Sequence, residues 1–85
     1  MKIRVLFFSV LKDLSGSEER TVVLSLGAEG DATMGDLLEQ IYREIPGMEV
    51  WDERLLLAVN AEFANRDSVL REGDEVALMP PVQGG

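Results

Sequence analysis

The chain has 85 residues, and its eight Lys and Arg against sixteen Asp and Glu give a formal net charge of −8. A chain of this length builds one domain, and its acidity disfavours nucleic acid and anionic membranes as partners. Cysteine and histidine are both absent, which excludes disulfides, thiol nucleophiles, imidazole catalysis and zinc sites built on these ligands. We expect no metal site in this chain. Because no apolar signal segment opens the chain and no stretch approaches the roughly 20 apolar residues that span a bilayer, we expect a cytoplasmic protein.

Two stretches near the start alternate between apolar and polar residues with a period of two, which is typical of strands. The first covers residues 2–8 and the second covers residues 21–26. A short helical turn around Leu11 and Leu14 separates them, and the glycine-rich segment 27–31 breaks the chain afterwards. We therefore expect a β-hairpin with a long loop.

A capping-box pattern at Thr33 and Asp36 predicts the start of a helix. The apolar residues that follow recur at helical spacing and predict one buried stripe. These residues are Met34, Leu37, Leu38, Ile41 and Ile45. Pro46 disfavours helical geometry at the residue before it, so we expect the helix to end near Ile45.

The second half of the chain predicts further strands. Residues 55–59 lack polar alternation, which indicates a central strand covered on both faces. Phe63 begins a short edge strand, residues 69–70 make a satellite core contact, and a tight turn at 71–74 leads into a last strand over 75–79. This order of elements predicts an α+β fold with a mixed sheet of four to five strands and one main helix packed across one face.

The last six residues predict an extended tail, 80–85, that leaves a domain spanning residues 1–79. Pro80 and Pro81 lack backbone N–H groups and have a fixed φ, so they stop sheet pairing and favour an extended exit. Val82 and Gln83 then offer side chains that a partner could grip.

The chain stops at Gly84 and Gly85, so no side chain guards the terminal carboxylate. Transfer of this carboxylate to ATP would make an acyl adenylate, and replacement of one oxygen by sulfur would then make a nucleophilic thiocarboxylate. A terminal Gly-Gly by itself fits an ordinary flexible end equally well.

Four segments together make the sequence resemble a known family. They are Val5–Ser9 followed by Leu14 and Gly16, Ala58–Asn60, Gly73–Ala77 and Pro80–Gly85. In order, spacing and total length they resemble the small subunits of molybdopterin synthase, which are sulfur carriers related to ubiquitin. The resemblance spans the whole chain and implies a ubiquitin-like β-grasp fold.

The resemblance also implies a set of partners and a covalent state. An ATP-dependent adenylating enzyme would activate Gly85, and a desulfurase or rhodanese-type sulfurtransferase would supply the sulfur of a thiocarboxylate there. The large subunit of molybdopterin synthase would receive the tail, and sulfur would pass to cyclic pyranopterin monophosphate within a heterotetramer of two small and two large subunits. The partners would provide the catalytic side chains, and the chain itself would bind no cofactor.

Family interfaces use an apolar sheet patch beside the tail, and the resemblance places Phe8, Phe63 and Met79 in it. Pro80, Pro81, Val82 and Gln83 would contact the partner with them. Met79 stands where an aromatic residue is frequent, and methionine fills the same apolar contact more adaptably.

Three other functions fit the same sequence. A sulfur carrier for thiamine or for tRNA thiolation would use the same adenylate and thiocarboxylate. A ubiquitin-like modifier would pass the acyl group of Gly85 to a protein lysine, and a plain adaptor would bind through its sheet without using the tail. Single aromatic residues such as Tyr42 and Trp51 are expected to have a structural role.

Overall fold

A computed structural model describes residues 1–25 and 30–81 of the chain. The strands are β1 (Lys2–Phe7), β2 (Glu19–Val23), β3 (Ala32–Thr33), β4 (Leu56–Val59), β5 (Glu62–Phe63), β6 (Val69–Leu70) and β7 (Glu75–Met79). The helices are α1 (Val10–Ser15), α2 (Met34–Glu44) and a 3-10 helix (Met48–Arg54). Within these described ranges, no helix is long and apolar enough to cross a bilayer.

Five strands form one mixed sheet in the order β2-β1-β7-β4-β5. The central strand β7 runs parallel to β1, and all other neighbouring strands in this sheet are antiparallel. The short strands β3 and β6 pair separately at one end of α2. The predicted α+β fold, with a mixed sheet and one main helix across it, is confirmed.

The core lies between α2 and one face of the sheet. In β1 the alternation places Ile3, Val5 and Phe7 in the core and leaves the residues between them at least partly exposed. The predicted stripe of α2 is buried as well, at Met34, Leu37, Leu38 and Ile41. Burial of each such side chain contributes about 1.5–3 kcal/mol, so the two apolar faces hold the helix on the sheet.

Both ends of α2 follow the sequence signals. The Thr33 hydroxyl accepts a hydrogen bond from the Asp36 N–H (3.3 Å), and the Asp36 carboxylate accepts one from the Thr33 N–H (2.9 Å). The helix gives way at Ile45, whose φ of −127° is not helical, directly before Pro46. The capping box satisfies N–H groups that would otherwise lack partners.

The strand over residues 55–59 differs from its prediction. It forms β4, which lies fourth in the sheet order, whereas β7 occupies the centre. Leu56 is 38% exposed, so this strand is not covered on both faces. The continuous apolar run arises because the outward-facing residues belong to an exposed apolar surface.

The second strand also has different bounds. It begins at Glu19 rather than at Thr21 because Glu19 and Arg20 already pair with β1, opposite Leu6 and Val5. Charged residues at an exposed sheet edge hide the start of such a strand from an apolar pattern. The strand ends at Val23, and the predicted end at Leu26 and the break at 27–29 lie outside the described residues.

Candidate functional site

The face of the sheet opposite α2 carries a continuous apolar surface at one end. Residues directly opposite each other on paired strands share a face, and the register pairs Leu56 with Met79 and Ala58 with both Ala77 and Phe63. Leu6 of β1 pairs with Ala77 in turn. We call this surface, together with Phe8, the outer patch. Its members are Leu6, Phe8, Leu56, Ala58, Phe63, Ala77 and Met79.

The aromatic members of the outer patch project into solvent. Phe63 is 83% exposed and Phe8 is 45% exposed, while Met79 is half-buried between them. A cluster of large exposed apolar side chains on a small protein marks a binding surface. None of the side chains in the outer patch is titratable, so the surface suits docking rather than acid–base chemistry.

A shallow hollow lies within the outer patch. It is lined by Ala58, Ala61, Phe63, Ala77 and Met79. Three of the five lining residues are alanines, and their small side chains leave a depression between the larger side chains of Phe63 and Met79. Such a shape can receive an apolar side chain of a partner.

The last strand leaves the sheet beside Phe8. The Phe8 N–H donates to the Leu78 carbonyl at 3.2 Å, and this is the final rung between β1 and β7. The Phe8 carbonyl instead accepts a hydrogen bond from the Leu11 N–H at 3.1 Å. Pro80 and Pro81, both half-buried, follow directly, so the chain that leads towards Gly84 and Gly85 departs from the edge of the outer patch.

Backbone strain concentrates around the outer patch. Among the described residues, the non-glycine residues with positive φ are Ser9 (57°), Asn60 (49°) and Ala61 (71°). Ser9 follows Phe8, and Ala61 lines the hollow. Positive φ is costly for residues with a Cβ atom, and such strain clusters at functional sites.

Charged groups border the outer patch but do not enter it. The Lys12 ammonium pairs with the Glu18 carboxylate at 2.9 Å beside Phe8. The hydrogen bond to Glu18 raises the pKa of Lys12 above its ordinary value, and the charge of Glu18 adds to this. At the other end of the sheet Arg4 pairs with Glu75 and, at 3.9 Å, with Glu19.

The structure brings the predicted partner-binding residues Phe8, Phe63 and Met79 to one face, next to Pro80 and Pro81. Val82, Gln83, Gly84 and Gly85 lie outside the described residues, so the roles given to them remain predictions. Tyr42 and Trp51 are half-buried and pack against the core, in line with a structural role.

The predicted partner surface lacks four residues of the outer patch, Leu6, Leu56, Ala58 and Ala77. The apolar run at 55–59 does not show which of its residues face α2 and which face outward. A usable signal was the small size of Ala58 and Ala77, because each interrupts a row of larger apolar residues in its strand.

The mixed five-stranded sheet with one helix across it defines a ubiquitin-like β-grasp protein, here with an apolar outer face beside the departing tail. Within this class the chain belongs to the ThiS family, whose model matches residues 5–85.

Individual relatives agree with this family. The chain is 34% identical over 87 residues to the molybdopterin synthase sulfur carrier subunit of Chlamydomonas reinhardtii, with 100% of both chains covered. The crystal structure of small archaeal modifier protein 1 from Haloferax volcanii superimposes with a TM-score of 0.84 at 30% identity, covering 100% of both chains. A complex of subunits 1 and 2 of molybdopterin-converting factor from Helicobacter pylori contains a chain that matches with a TM-score of 0.65 at 27% identity, again over 100% of both chains.

Proposed function

We propose that this chain is the sulfur-carrier subunit of a molybdopterin synthase and that the carboxylate of Gly85 is its working group. The observation that carries the proposal is the position of the outer patch beside Pro80 and Pro81, at the root of a tail that ends in Gly84-Gly85. A docking surface placed there can hold the domain while the terminal carboxylate reaches a partner's active site. The full-length similarity to a named sulfur carrier subunit supports the same function.

The chemistry begins at Gly85. Its carboxylate attacks the α-phosphorus of ATP on an adenylating enzyme, which releases pyrophosphate and leaves an acyl adenylate. The terminal sulfur of a persulfide on a desulfurase or a rhodanese-type enzyme then displaces AMP and forms an acyl disulfide, and a thiol reductant cleaves its S–S bond, which leaves a thiocarboxylate at Gly85 and a disulfide of the donor with the thiol. The sulfur is ionised and polarizable, so it is the nucleophile that attacks cyclic pyranopterin monophosphate. We propose the cytoplasm as the compartment of this route.

The chain contributes binding and access rather than catalytic side chains. Gly84 and Gly85 lack Cβ atoms, so the tail can pass through a narrow channel. Phe8, Phe63 and Met79 would dock on the large subunit of the synthase, and the complex of two converting-factor subunits from Helicobacter pylori supports a partner of this kind. Two carriers are needed for two dithiolene sulfurs, so we infer a heterotetramer.

Intact mass spectrometry tests the proposal directly. The chain is incubated with ATP, the adenylating enzyme and the sulfur donor, and we expect a mass gain equal to one sulfur replacing one oxygen. Thiol-directed alkylation should then map to Gly85, since the chain contains no cysteine. Deletion of Gly85 should abolish both signals, whereas Val50→Ala, which changes an exposed residue of the 3-10 helix, should keep them. An unchanged mass of the wild-type chain, in a mixture shown to be active on another carrier, contradicts the proposal.

A protein modifier is the second candidate function, favoured by the TM-score of 0.84 with small archaeal modifier protein 1. It would use the same acyl adenylate and transfer it to a lysine of another protein. Higher-mass conjugates that disappear on deletion of Gly85 would support it, and a single band on an immunoblot would count against it. Sulfur transfer to thiamine or tRNA is distinguished by a deletion strain, which in our proposal grows without thiamine but lacks molybdoenzyme activity.

A further inference from the structure

Successive residues of β7 direct their backbone groups to opposite neighbours, as in any strand. The even-numbered residues face β1, because the Arg4 N–H donates to the Asp74 carbonyl (3.0 Å) and the Phe8 N–H to the Leu78 carbonyl (3.2 Å). The odd-numbered residues face β4, because the Asn60 N–H donates to the Glu75 carbonyl (2.8 Å). The N–H positions of residues 80 and 81 therefore belong to two different ladders.

On the β1 side, the next rung would join the N–H of residue 80 to the Phe8 carbonyl. Pro80 has no N–H to give. The Phe8 carbonyl is also taken, because the turn through Ser9, with its φ of 57°, brings the Leu11 N–H to it at 3.1 Å. The missing N–H of Pro80 therefore closes this rung, and an N–H placed at residue 80 would have to share the Phe8 carbonyl with Leu11 or displace it.

On the β4 side, the register pairs Leu57 with Leu78 and Leu56 with Met79. Its continuation would place Arg54 opposite Pro81. Hydrogen-bonded pairs alternate along an antiparallel ladder, and the bond between Asn60 and Glu75 sets the alternation. The pair of residues 54 and 81 would therefore be a hydrogen-bonded one. Pro81 again lacks the donor, and the acceptor would be the carbonyl of Arg54, the last residue of the 3-10 helix.

We propose that Pro80 and Pro81 act as a two-sided stop, in which each proline closes the ladder to a different neighbouring strand. One proline would leave the other side open, which explains why two in succession stand at the end of a central strand. In this view both prolines are positioning residues that keep Gly85 available for activation. This positioning role rests on the proposed function, whereas the effect of the prolines on the two ladders does not.

Replacement of one proline should reopen one ladder. Pro80→Ala restores an N–H that competes with Leu11 for the Phe8 carbonyl, and Pro81→Ala restores an N–H that faces Arg54. One added hydrogen bond raises the ratio of paired to unpaired chains roughly two- to tenfold. The double variant should therefore extend the sheet further than either single variant.

Amide hydrogen exchange, measured by NMR on the full chain, tests the ladders without any partner. In Pro80→Ala the new amide at residue 80 should exchange roughly two- to tenfold more slowly than an unstructured amide, and the Leu11 amide should exchange faster than in wild type. In Pro81→Ala the amide at residue 81 should be protected and the Leu11 amide unchanged. Amides at 80 and 81 that exchange at the unstructured rate in the single and double variants would overturn the two-sided stop.

The positioning role is tested by the initial rate of thiocarboxylate formation at Gly85. In Pro80→Ala and Pro81→Ala this rate should fall roughly two- to tenfold, because a fraction of the chains has its tail paired with the sheet. Pro46→Ala, which replaces the remaining proline, is the control and should react at the wild-type rate. If the variants show protected amides at residue 80 or 81 but form the thiocarboxylate at the wild-type rate, the positioning role is overturned. A wild-type chain that forms no thiocarboxylate would instead refute the proposed function and leave the exchange result standing.

Discussion

Asn60 and Glu75 are joined by two hydrogen bonds across the sheet. The Asn60 N–H donates to the Glu75 carbonyl at 2.8 Å, and the Glu75 N–H donates to the Asn60 side-chain oxygen at 3.0 Å. The Asn60 amide group also donates to Asp74 at 3.0 Å. The hairpin that carries Phe63 is thereby fixed to the start of β7, whose end carries Met79, so one residue ties together two parts of the outer patch.

Replacement of Asn60 should therefore destabilise the fold. Asn60→Ala loses both side-chain hydrogen bonds and puts alanine at a φ of 49°, which we expect to cost about 1–3 kcal/mol. The midpoint of thermal unfolding, followed by circular dichroism, should fall by about 4–8 °C per kcal/mol in a domain of this size. Asn60→Gly loses the same bonds without the backbone strain and should fall less. An unchanged midpoint for Asn60→Ala would show that these bonds do not hold the hairpin.

Ala61, the second residue of the same turn, also has a positive φ, but unlike Asn60 it has no side-chain hydrogen bond to offset the strain. Ala61 has a φ of 71°, where glycine is favoured. Ala61→Gly should stabilise the protein by about 0.5–1 kcal/mol, because relief of the strain exceeds the extra backbone entropy of glycine.

The matched control reverses the change at a glycine in the same backbone region. Gly73 has a φ of 83°, and an added Cβ would meet no atom within 4 Å, so Gly73→Ala isolates the backbone cost. It should destabilise the protein by about 1–2 kcal/mol. Urea unfolding of both variants measures the two effects, and shifts of the same sign would contradict the explanation from backbone strain.

Phe63 should contribute to binding and little to stability. Because it is 83% exposed, Phe63→Ala should change the free energy of unfolding by no more than about 0.5 kcal/mol. Loss of an exposed aromatic anchor should weaken binding to the large subunit of the synthase about 10- to 100-fold. Calorimetric titration measures this affinity. Val50→Ala is the control, since Val50 is 69% exposed but lies in the 3-10 helix rather than on the sheet, and equal losses for both variants would contradict a role of the outer patch.

The fold followed from the sequence wherever local signals agreed with packing. The capping box at Thr33 and Asp36, the stop before Pro46 and the last strand, Glu75–Met79, lie where they were predicted. The strands β3 and β6 have only two residues each, too few to show a period. The 3-10 helix escaped prediction because its anchoring residue, Met48, is a single buried apolar residue after a break at Gly47.

The outer patch was predictable only in part. Phe8, Phe63 and Met79 came from a family resemblance, because an exposed aromatic residue and a core one look alike in an apolar pattern. Their common face depends on strand order, which places β7 between β1 and β4. The strain at Ser9 and Ala61 carries no sequence signal, since neither position is marked by glycine.

Tyr42 links α2 to the segments that follow it. Its hydroxyl donates to the Asp52 carboxylate, which also pairs with the Arg66 guanidinium at 3.0 Å. Burial raises the pKa of Tyr42 above its ordinary value of 10.0, and the hydrogen bond to Asp52 and the charge of Asp52 add to this, while Arg66 lowers the pKa in opposition. The fold therefore favours the neutral phenol.

The consequence is a loss of stability in alkali. A phenol whose pKa is higher in the folded state contributes stability that is fully present below the unfolded pKa, near 10.0, and is lost as pH rises above it. Wild type should lose more stability than Tyr42→Phe between about pH 9 and 11, and the difference removes the lysine titration common to both. Since the chain has one tyrosine, ultraviolet absorbance reports its ionisation directly, and Asp52→Asn should lower the pKa by removing the adjacent negative charge. Parallel stability curves for wild type and Tyr42→Phe would show that the phenol is not coupled to folding.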